Sequence, residues 1–529
     1  MSSSGEVING GLAASWPAGE GKATSRPTIL VAFYILLCVV SLLPFVLIAN
    51  PPILDFANHA ARLSLACDIH DPAVADMYVY RLGIIPNLAV DLANAPLCGL
   101  LGPSAVLKAV TAGSLALIYF CGWTIQRKLF GSPNAFLLLL PAVAFNLVTT
   151  MGYINFLAGA AIGCAMIALA LGREKKFTQL LLIGNVGGIV LFFCHIFALA
   201  FVGVFFFGLM LRDQPRTVRG FATAALKTAA MFALPLVMVP LVPSEGKPLA
   251  IHYIGKIRVL PALFMAPHPN PSVFGLLFLV PIYLLIRNRR VEIHPALRVP
   301  LAVLALYVLL VPNGIQDAID IDSRTAIPLA YLFFMSLRPI DKEREISGTL
   351  FGASAALVGY GAVMAALIWL PFSRQVEELR GAFGVLPPEA SVFSVAAEDG
   401  PRMRVFPFGY NHLTSYATVD RRVFNPLEFS GIGMQPLSST PKFAPIDSPG
   451  SFPVMPAQAR KLEHPTADLQ NEMLKGNGRF KLRWPEHFDY VIFYHFGHFA
   501  NFRPELLTEV HRGSFFSILK IRRPQPQRG

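Results

Sequence analysis

Charged residues are scarce in this chain. Asp, Glu, Lys and Arg make up only 14% of its 529 residues, whereas hydrophobic residues make up 54%. An ordinary soluble protein carries roughly a quarter of its residues as charged ones. The composition therefore excludes a typical soluble globular protein and indicates a membrane protein.

Signatures of soluble catalysis are lacking from the last third of the chain. This part contains no Gly-rich phosphate loop, no nucleophile elbow and no cysteine-based zinc signature. The formal net charge of the whole chain is +12, but its Lys and Arg residues lie in short clusters between apolar runs. We therefore expect no nucleic acid partner and attribute the positive charge to membrane topology.

Long apolar runs recur up to residue 370 and are absent beyond it. Many of these runs approach or exceed the length needed to cross roughly 30 Å of hydrocarbon. The sequence predicts a disordered cytoplasmic N-terminus (1–27), a polytopic transmembrane helical bundle (28–370) and a C-terminal extracytoplasmic α/β domain (371–529). The expected fold class is thus mainly α.

Five hydrophilic connections carry clusters of Lys and Arg. The positive-inside rule places these connections in the cytoplasm, together with the N-terminus. The C-terminal domain and a long first loop (50–102) are then external. The prediction is about eleven spans, approximately at residues 28–49, 103–123, 134–151, 153–171, 178–194, 195–211, 220–241, 273–287, 297–312, 325–338 and 348–370.

The first external loop opens with the sequence DFANHAARL. At the helical step, Asp55, Asn58, His59 and Arg62 fall on one face of an amphipathic helix. A helix at the outer membrane interface with a merely solvated polar face would show the same pattern, and that alternative stays open. The length of the loop, more than fifty residues, favours a functional role.

Other polar residues fall in segments predicted to lie near the same membrane face. They are Asp91, His195, Lys256, Arg258 and Arg324. His195 is either a hydrogen-bonded residue between packed helices or a site residue, and the sequence leaves both alternatives open.

Two of the six cysteines fall in a loop that is exposed to an oxidising compartment on this topology. These are Cys67 and Cys98, in the first external loop. Their spacing alone does not establish the geometry of a disulfide, so the pairing is left open.

The architecture resembles the GT-C class of membrane glycosyltransferases, which use polyprenyl-phosphate-linked sugars as donors. The segments that carry the resemblance are LDFANHAAR and FFCHIFALAF. In that class an acidic residue of the first external loop is the catalytic base or a metal-associated carboxylate, and the matching position is Asp55. A common pattern in the class has two adjacent acidic residues, but Phe56 follows Asp55 here. We therefore predict no metal site, and a divalent cation stays an open alternative.

The resemblance implies an inverting transfer of a sugar from a polyprenyl-phosphate donor to a periplasmic glycan, lipid or protein. The protein would lie in the inner membrane of a bacterium. A base is needed for the acceptor proton and cations are needed for the phosphate, and Asp55 is the predicted base. A transporter or flippase and a non-catalytic envelope assembly protein are the alternatives. The predicted substrate-binding residues are His59, Arg62, Asp91, His195, Lys256, Arg258 and Arg324.

Overall fold

A computed structural model describes most of the chain. Arg258 and most of a predicted strand at 403–408 lie outside the described residues, as does the N-terminal segment up to residue 25. The described ranges are 26–243, 250–253, 256, 259–265, 273–315, 318–340, 343–397, 408–430, 435–448, 452–470, 481–497 and 499–523.

Helices dominate the described part of the chain, as predicted. Sixteen helices, named in chain order, precede the C-terminal sheet. They are α1 (Arg26–Leu47), α2 (Phe56–Cys67), α3 (Pro72–Met77), α4 (Ala89–Asn94), α5 (Pro103–Phe130), α6 (Leu139–Ala142), α7 (Leu147–Met151), α8 (Ile154–Ala170), α9 (Phe177–Cys194), α10 (Ile196–Arg212), α11 (Val218–Met231), α12 (Ala233–Met238), α13 (Val273–Arg287), α14 (Pro295–Leu310), α15 (Ile321–Met335) and α16 (Glu343–Ala382).

Four helices of the described residues are long and apolar enough to cross a membrane, or up to five if the bent pair α11 and α12 is one span. The chain bends by 74° between these two helices. Within the described residues, four further predicted spans contain shorter apolar helices. The count and the orientation therefore stay predictions. The long helices are Thr28–Leu47, Pro103–Phe130, Phe177–Cys194 and Arg344–Val385, and the shorter ones are Ala135–Met151, Ile154–Ala170, Ile196–Arg212 and Pro295–Leu310.

The segment predicted as one span at 134–151 is broken into short pieces. The break has a local cause, because the Asn146 side chain caps α7 by accepting a hydrogen bond from the Thr149 backbone N at 3.2 Å. A positive φ of 81° at Gly152 ends α7, and α8 begins two residues later. These breaks place a tight turn next to the first external loop.

The C-terminal part folds around a four-stranded sheet. Strands β6, β8, β10 and β9 lie in that order, β6 and β8 are parallel, and the other neighbours are antiparallel. Ten strands and three more helices complete the described elements: β1 (Tyr78–Tyr80), β2 (Ile251–His252), β3 (Val291–Ile293), β4 (Gly314–Ile315), β5 (Leu337–Pro339), β6 (Val392–Ala396), β7 (Leu437–Ser439), β8 (Tyr490–Tyr494), β9 (Leu507–Arg512), β10 (Phe516–Ile521), α17 (Ser415–Arg421), α18 (Pro456–Glu463) and α19 (Trp484–His487).

The strands expected at 391–397, 489–495 and 514–521 are present as β6, β8 and β10. A helix expected at 503–511 is wrong, because residues 507–512 form β9. Pairing with β10 overrides the local helical pattern here, as often happens for short segments that gain a sheet partner. Helix α16 continues without a break past residue 370, where the sequence analysis divides the chain.

The first external loop is fastened to the C-terminal part. Strand β1 pairs antiparallel with β7, and Arg422 forms ion pairs with Asp68 and Asp71. A disulfide joins Cys67 and Cys98. Nine of the twelve residues of α2 are buried, so the helix does not lie at an open interface, and its polar side chains Asn58 and Arg62 contact the C-terminal part.

Candidate functional site

Asp55 lies directly before α2, in a tight turn against the α7 to α8 connection. Its backbone N donates to the Met151 carbonyl at 3.2 Å. Any Cβ at Gly152 would come within 3.0 Å of the Asp55 backbone N, so glycine is needed at this close approach. The Asp55 side chain is 14% exposed, which leaves its carboxyl group accessible from a mostly enclosed position.

Burial is the main influence on the pKa of the Asp55 carboxyl group. It raises the pKa of Asp55 to about 7, although the nearby Arg324 and Arg62 guanidinium groups act in the opposite direction. A carboxyl group with such a pKa exchanges its proton near neutral pH. This property suits a general base better than an ordinary surface aspartate does.

A second cluster lies beside Asp55, where α15 begins. The Arg324 guanidinium carbon is 3.3 Å from the centroid of the Tyr153 ring, a cation–π contact. The Tyr153 hydroxyl donates to Asp320 Oδ2 at 3.0 Å. Arg324 is buried, and its Nε has no hydrogen-bond partner within the described part of the chain. Arg324 therefore has donor capacity left for an anion.

His195 connects α9 and α10 and faces Arg324. Its Nδ1 accepts a hydrogen bond from the Phe197 backbone N at 3.2 Å, so the proton of the neutral ring lies on Nε2. His195 Nε2 is 3.4 Å from Arg324 Nη1. Two donors thus lie side by side, and an anionic oxygen between them would accept from both. His195 caps α10 and also contacts Arg324. The residue is therefore hydrogen-bonded between packed helices, and its position is also compatible with a role in the site.

Arg62 and Asp91 are both fully buried and contact each other. Arg62 donates from Nε to Asp91 Oδ1 at 3.1 Å and from Nη2 to Oδ2 at 2.7 Å. The Tyr80 hydroxyl also donates to Asp91, and Arg62 Nη1 donates to Gln435 of the C-terminal part. This pair ties two parts of the first loop to each other and to the C-terminal part, and it uses the guanidinium donors internally.

Lys256 and His59 lie in different surroundings. Lys256 forms an ion pair of 2.9 Å with Asp322, the second residue of α15. His59 is 5% exposed, its ring lies 5.4 Å from that of Phe429, and its Nδ1 has no partner among the described residues. Of the predicted residues, Arg324 lies near Asp55 with an unused donor, and His195 contacts Arg324.

One residue near Asp55 was missed by the sequence analysis. His412, from the C-terminal part, has its Nε2 3.9 Å from Asp55 Oδ1. No sequence pattern links the two, because they are far apart in the chain and His412 follows no recognisable motif. The sequence marks Tyr153 only as a polar residue of the tight turn GYIN, which is predicted to lie near the same membrane face.

The described residues contain no group of three or more His, Cys, Asp or Glu side chains that could hold a metal ion. The contacts around Asp55 come from cationic and aromatic side chains, which do not form an oxygen-rich ligand set. A divalent cation stays an untested alternative.

No protein-family model matches the sequence, and no similar curated protein was found. Among solved structures, the chain is similar to the crystal structure of ArnT from Cupriavidus metallidurans bound to undecaprenyl phosphate, a GT-C polytopic glycosyltransferase. The match has 11% sequence identity and a TM-score of 0.47, and it covers 94% of this chain and 98% of that chain.

Proposed function

We propose that this protein is an inverting glycosyltransferase that uses a polyprenyl-phosphate-linked sugar and acts on the external side of a bacterial inner membrane. The observation that carries the proposal is the contact between Arg324 and His195, two donors with unused capacity, together with the position of Arg324 near the mostly buried carboxyl group of Asp55. One side chain has the properties of a base, and its neighbours have those of a phosphate-binding pair.

In the proposed reaction, the ionised Asp55 carboxylate removes the proton from the acceptor hydroxyl. The acceptor oxygen forms a bond to the anomeric carbon, and the bond from that carbon to the phosphate oxygen breaks. The electron pair of the broken bond leaves with the lipid phosphate, whose growing negative charge Arg324 and His195 stabilise. One carboxylate is sufficient, since a single displacement needs no second one.

The remaining predicted residues have supporting roles in this proposal. Arg62 and Asp91 hold α2 and the first loop in place, and Lys256 fixes the start of α15 through Asp322. His59 borders the contact with the C-terminal part. Arg258 is proposed as a further phosphate contact from the sequence alone.

The external placement of the site is also a proposal. The Cys67–Cys98 disulfide in the first loop is typical of an oxidising compartment such as the periplasm. The contacts of β1 with β7 put the C-terminal domain on the same side as that loop. The proposal keeps a transmembrane module at 28–370 and a periplasmic domain at 371–529.

Native mass spectrometry of the detergent-purified protein tests the donor class without assuming a substrate. We expect a co-purifying lipid with the mass of a polyprenyl phosphate, with or without a sugar, and its loss in Arg324→Gln. Arg512→Gln is a matched control, since Arg512 also lies over an aromatic ring, 4.1 Å from that of Phe499, but in the C-terminal sheet. The control should retain the lipid.

Two results would contradict the proposed donor. The first is recovery of bulk phospholipid alone, which favours the transporter or the assembly protein. The second is equal retention of a polyprenyl phosphate in the Arg324→Gln variant and the wild type. Rescue of a deletion strain by residues 371–529 alone would favour the assembly protein, because that fragment lacks Asp55, His195 and Arg324.

A further inference from the structure

His412 is held in one orientation by residues on both sides of the contact between α2 and the C-terminal part. Its side chain is 3% exposed, and its ring lies 5.5 Å from that of Phe429 and 5.8 Å from that of Phe452. Its Nε2 faces the Asp55 carboxyl group at 3.9 Å. The histidine therefore reaches the site from outside the transmembrane module.

The amide of Asn58 fixes which nitrogen of His412 carries the proton. Asn58 Oδ1 accepts from the Phe429 backbone N at 2.6 Å, and Asn58 Nδ2 donates to the Leu427 carbonyl at 2.8 Å. These two backbone partners allow only one orientation of the amide. Its Nδ2 is also 3.4 Å from His412 Nδ1 and can only donate there.

Nδ1 of His412 is consequently an acceptor, and the proton of the neutral ring lies on Nε2. Burial lowers the pKa of His412 to about 4, so the ring is neutral at physiological pH. The Nε2–H group points toward Asp55 Oδ1 from slightly beyond hydrogen-bond distance. Contacts of this kind tighten when substrate binds.

We propose that His412 is a positioning residue of the site, whose Nε2–H orients the Asp55 carboxylate and stabilises its ionised form. Asp55 and Asn58 lie three residues apart and act on opposite nitrogens of the same ring. The site is then complete only when the C-terminal domain is docked on α2. This inference rests on the proposed role of Asp55 as the base.

The neighbouring ionisable groups define what else affects Asp55. They come from four elements packed around Asp55. Besides the imidazole of His412, they are two guanidinium groups, one phenol and a second imidazole. The groups are Arg62 and His59 of α2, Tyr153 before α8, Arg324 of α15, and His412 of the C-terminal part. His59 contacts Asp55 through its backbone N, which donates to the Asp55 carbonyl at 2.9 Å. The imidazole that faces the Asp55 carboxyl group is that of His412, so His412 is the histidine to vary.

Difference infrared spectroscopy over a pH titration of the full-length protein in detergent measures the protonation of Asp55 directly. The carbonyl band of a protonated carboxyl group that disappears in Asp55→Asn identifies this residue. His412→Phe keeps the ring packing and removes the N–H group, whereas His412→Gln keeps an N–H donor near the Nε2 position. His487→Ala, an exposed histidine of the same domain, is the control.

We expect the midpoint of the Asp55 band to rise by about one pH unit in His412→Phe, since a lost hydrogen bond to the charged form favours the protonated form. The midpoint should stay near the wild-type value in His412→Gln and in His487→Ala. An unchanged midpoint in His412→Phe, or an equal rise in His412→Gln and His412→Phe, overturns the proposal.

The wild-type protein gives a second test if a His412 variant fails to fold. Nitrogen NMR of histidine-labelled protein distinguishes the two neutral tautomers, and comparison with Asp55→Asn identifies the ring next to Asp55. The Nε2–H tautomer supports the proposal, and the Nδ1–H tautomer overturns it. Neither measurement needs a substrate, so each can be interpreted whether or not the protein transfers a sugar. Persistent sugar transfer by Asp55→Asn would refute the proposed function alone.

Discussion

The guanidinium group of Arg62 donates to both carboxylate oxygens of Asp91, and neither side chain is exposed to solvent. The two residues lie 29 positions apart in the first external loop. Their pairing neutralises two charges that would otherwise be costly to bury. It also fixes the polar face of α2. Asn58 and Arg62 on this face contact the C-terminal part, and Asp55 lies directly before the helix.

Arg62→Leu should lower the free energy of unfolding by about 3 to 5 kcal/mol, because it leaves the Asp91 carboxylate buried without its partner. Unfolding by SDS titration in detergent micelles measures this change. The control is Arg380→Leu, which breaks the bidentate pair of Arg380 with the partly exposed Asp420 and should cost about 1 kcal/mol or less. Equal losses in the two variants would contradict the structural role of the buried pair.

Replacing Cys67 and Cys98 by serine should also destabilise the first loop. The disulfide closes a loop with a sequence separation of 31, and the chain-entropy model predicts a loss of about 3 to 4 kcal/mol for a loop of this length. Cys38→Ser, which changes a free cysteine, is the control. Limited proteolysis of the first loop under native conditions should become faster in the double variant alone, and unchanged cleavage would show that other contacts hold the loop.

Tyr153→Leu should weaken the binding of a polyprenyl phosphate, the proposed donor lipid, by roughly 2- to 30-fold, because a cation–π contact is worth about 0.5 to 2 kcal/mol. The Tyr153 ring lies under the Arg324 guanidinium and orients it. Tyr153→Phe keeps the ring and removes the hydroxyl group, which donates to Asp320 and also contacts Arg324, so its affinity should stay closer to that of the wild type. Thermophoresis with the lipid in detergent measures both variants. Equal affinities for Leu and Phe would show that the ring has no such role.

Asp55 should make the protein less stable as the pH rises. Its pKa in the folded protein, about 7, lies above the ordinary value of 3.8, so the folded state binds this proton more tightly than the unfolded chain does. The free energy of unfolding therefore falls between about pH 4 and pH 7 and stays low above pH 7. Asp55→Asn removes this penalty and should stabilise the protein at pH 8 by up to about 4 kcal/mol.

Asp447→Asn is a control for that comparison. Burial raises the pKa of Asp447 to about 6, so this variant should also be stabilised at pH 8 while sugar transfer continues. Thermal melts at pH 5 and pH 8 measure the stability of the wild type and of both variants. A wild type that gains stability between pH 5 and pH 8 relative to Asp55→Asn would show that the Asp55 carboxyl group is not destabilised by burial.

The helical periodicity of DFANHAARL correctly predicted α2 and its polar face. Asp55, Asn58 and Arg62 do lie together, because their spacing of three and four residues follows the turn of the helix. What covers that face was not predictable. The partners Leu427, Phe429 and Gln435 come from a distant part of the chain, and local periodicity carries no information about such contacts.

Contacts with distant parts of the chain also explain other differences between the predicted and the observed structure. Residues 507–512 have a pattern that fits a helix, yet β10 supplies a strand partner that outweighs it. Apolar composition predicted a span at 134–151 but did not reveal that Asn146 would cap a short helix within it. The pairing of Arg324 with Tyr153 and His195 depends on how three separate helices pack, so the sequence indicated the residues without their arrangement.

The central claim is that Asp55 is the base of a sugar transfer. The most direct measurement compares envelope glycans and glycolipids, by mass spectrometry, in a deletion strain that carries either the wild type or Asp55→Asn at equal membrane levels. The account predicts that the wild type restores a glycosylated product and that Asp55→Asn, although folded and at least as stable, does not. Equal product from both strains would contradict it.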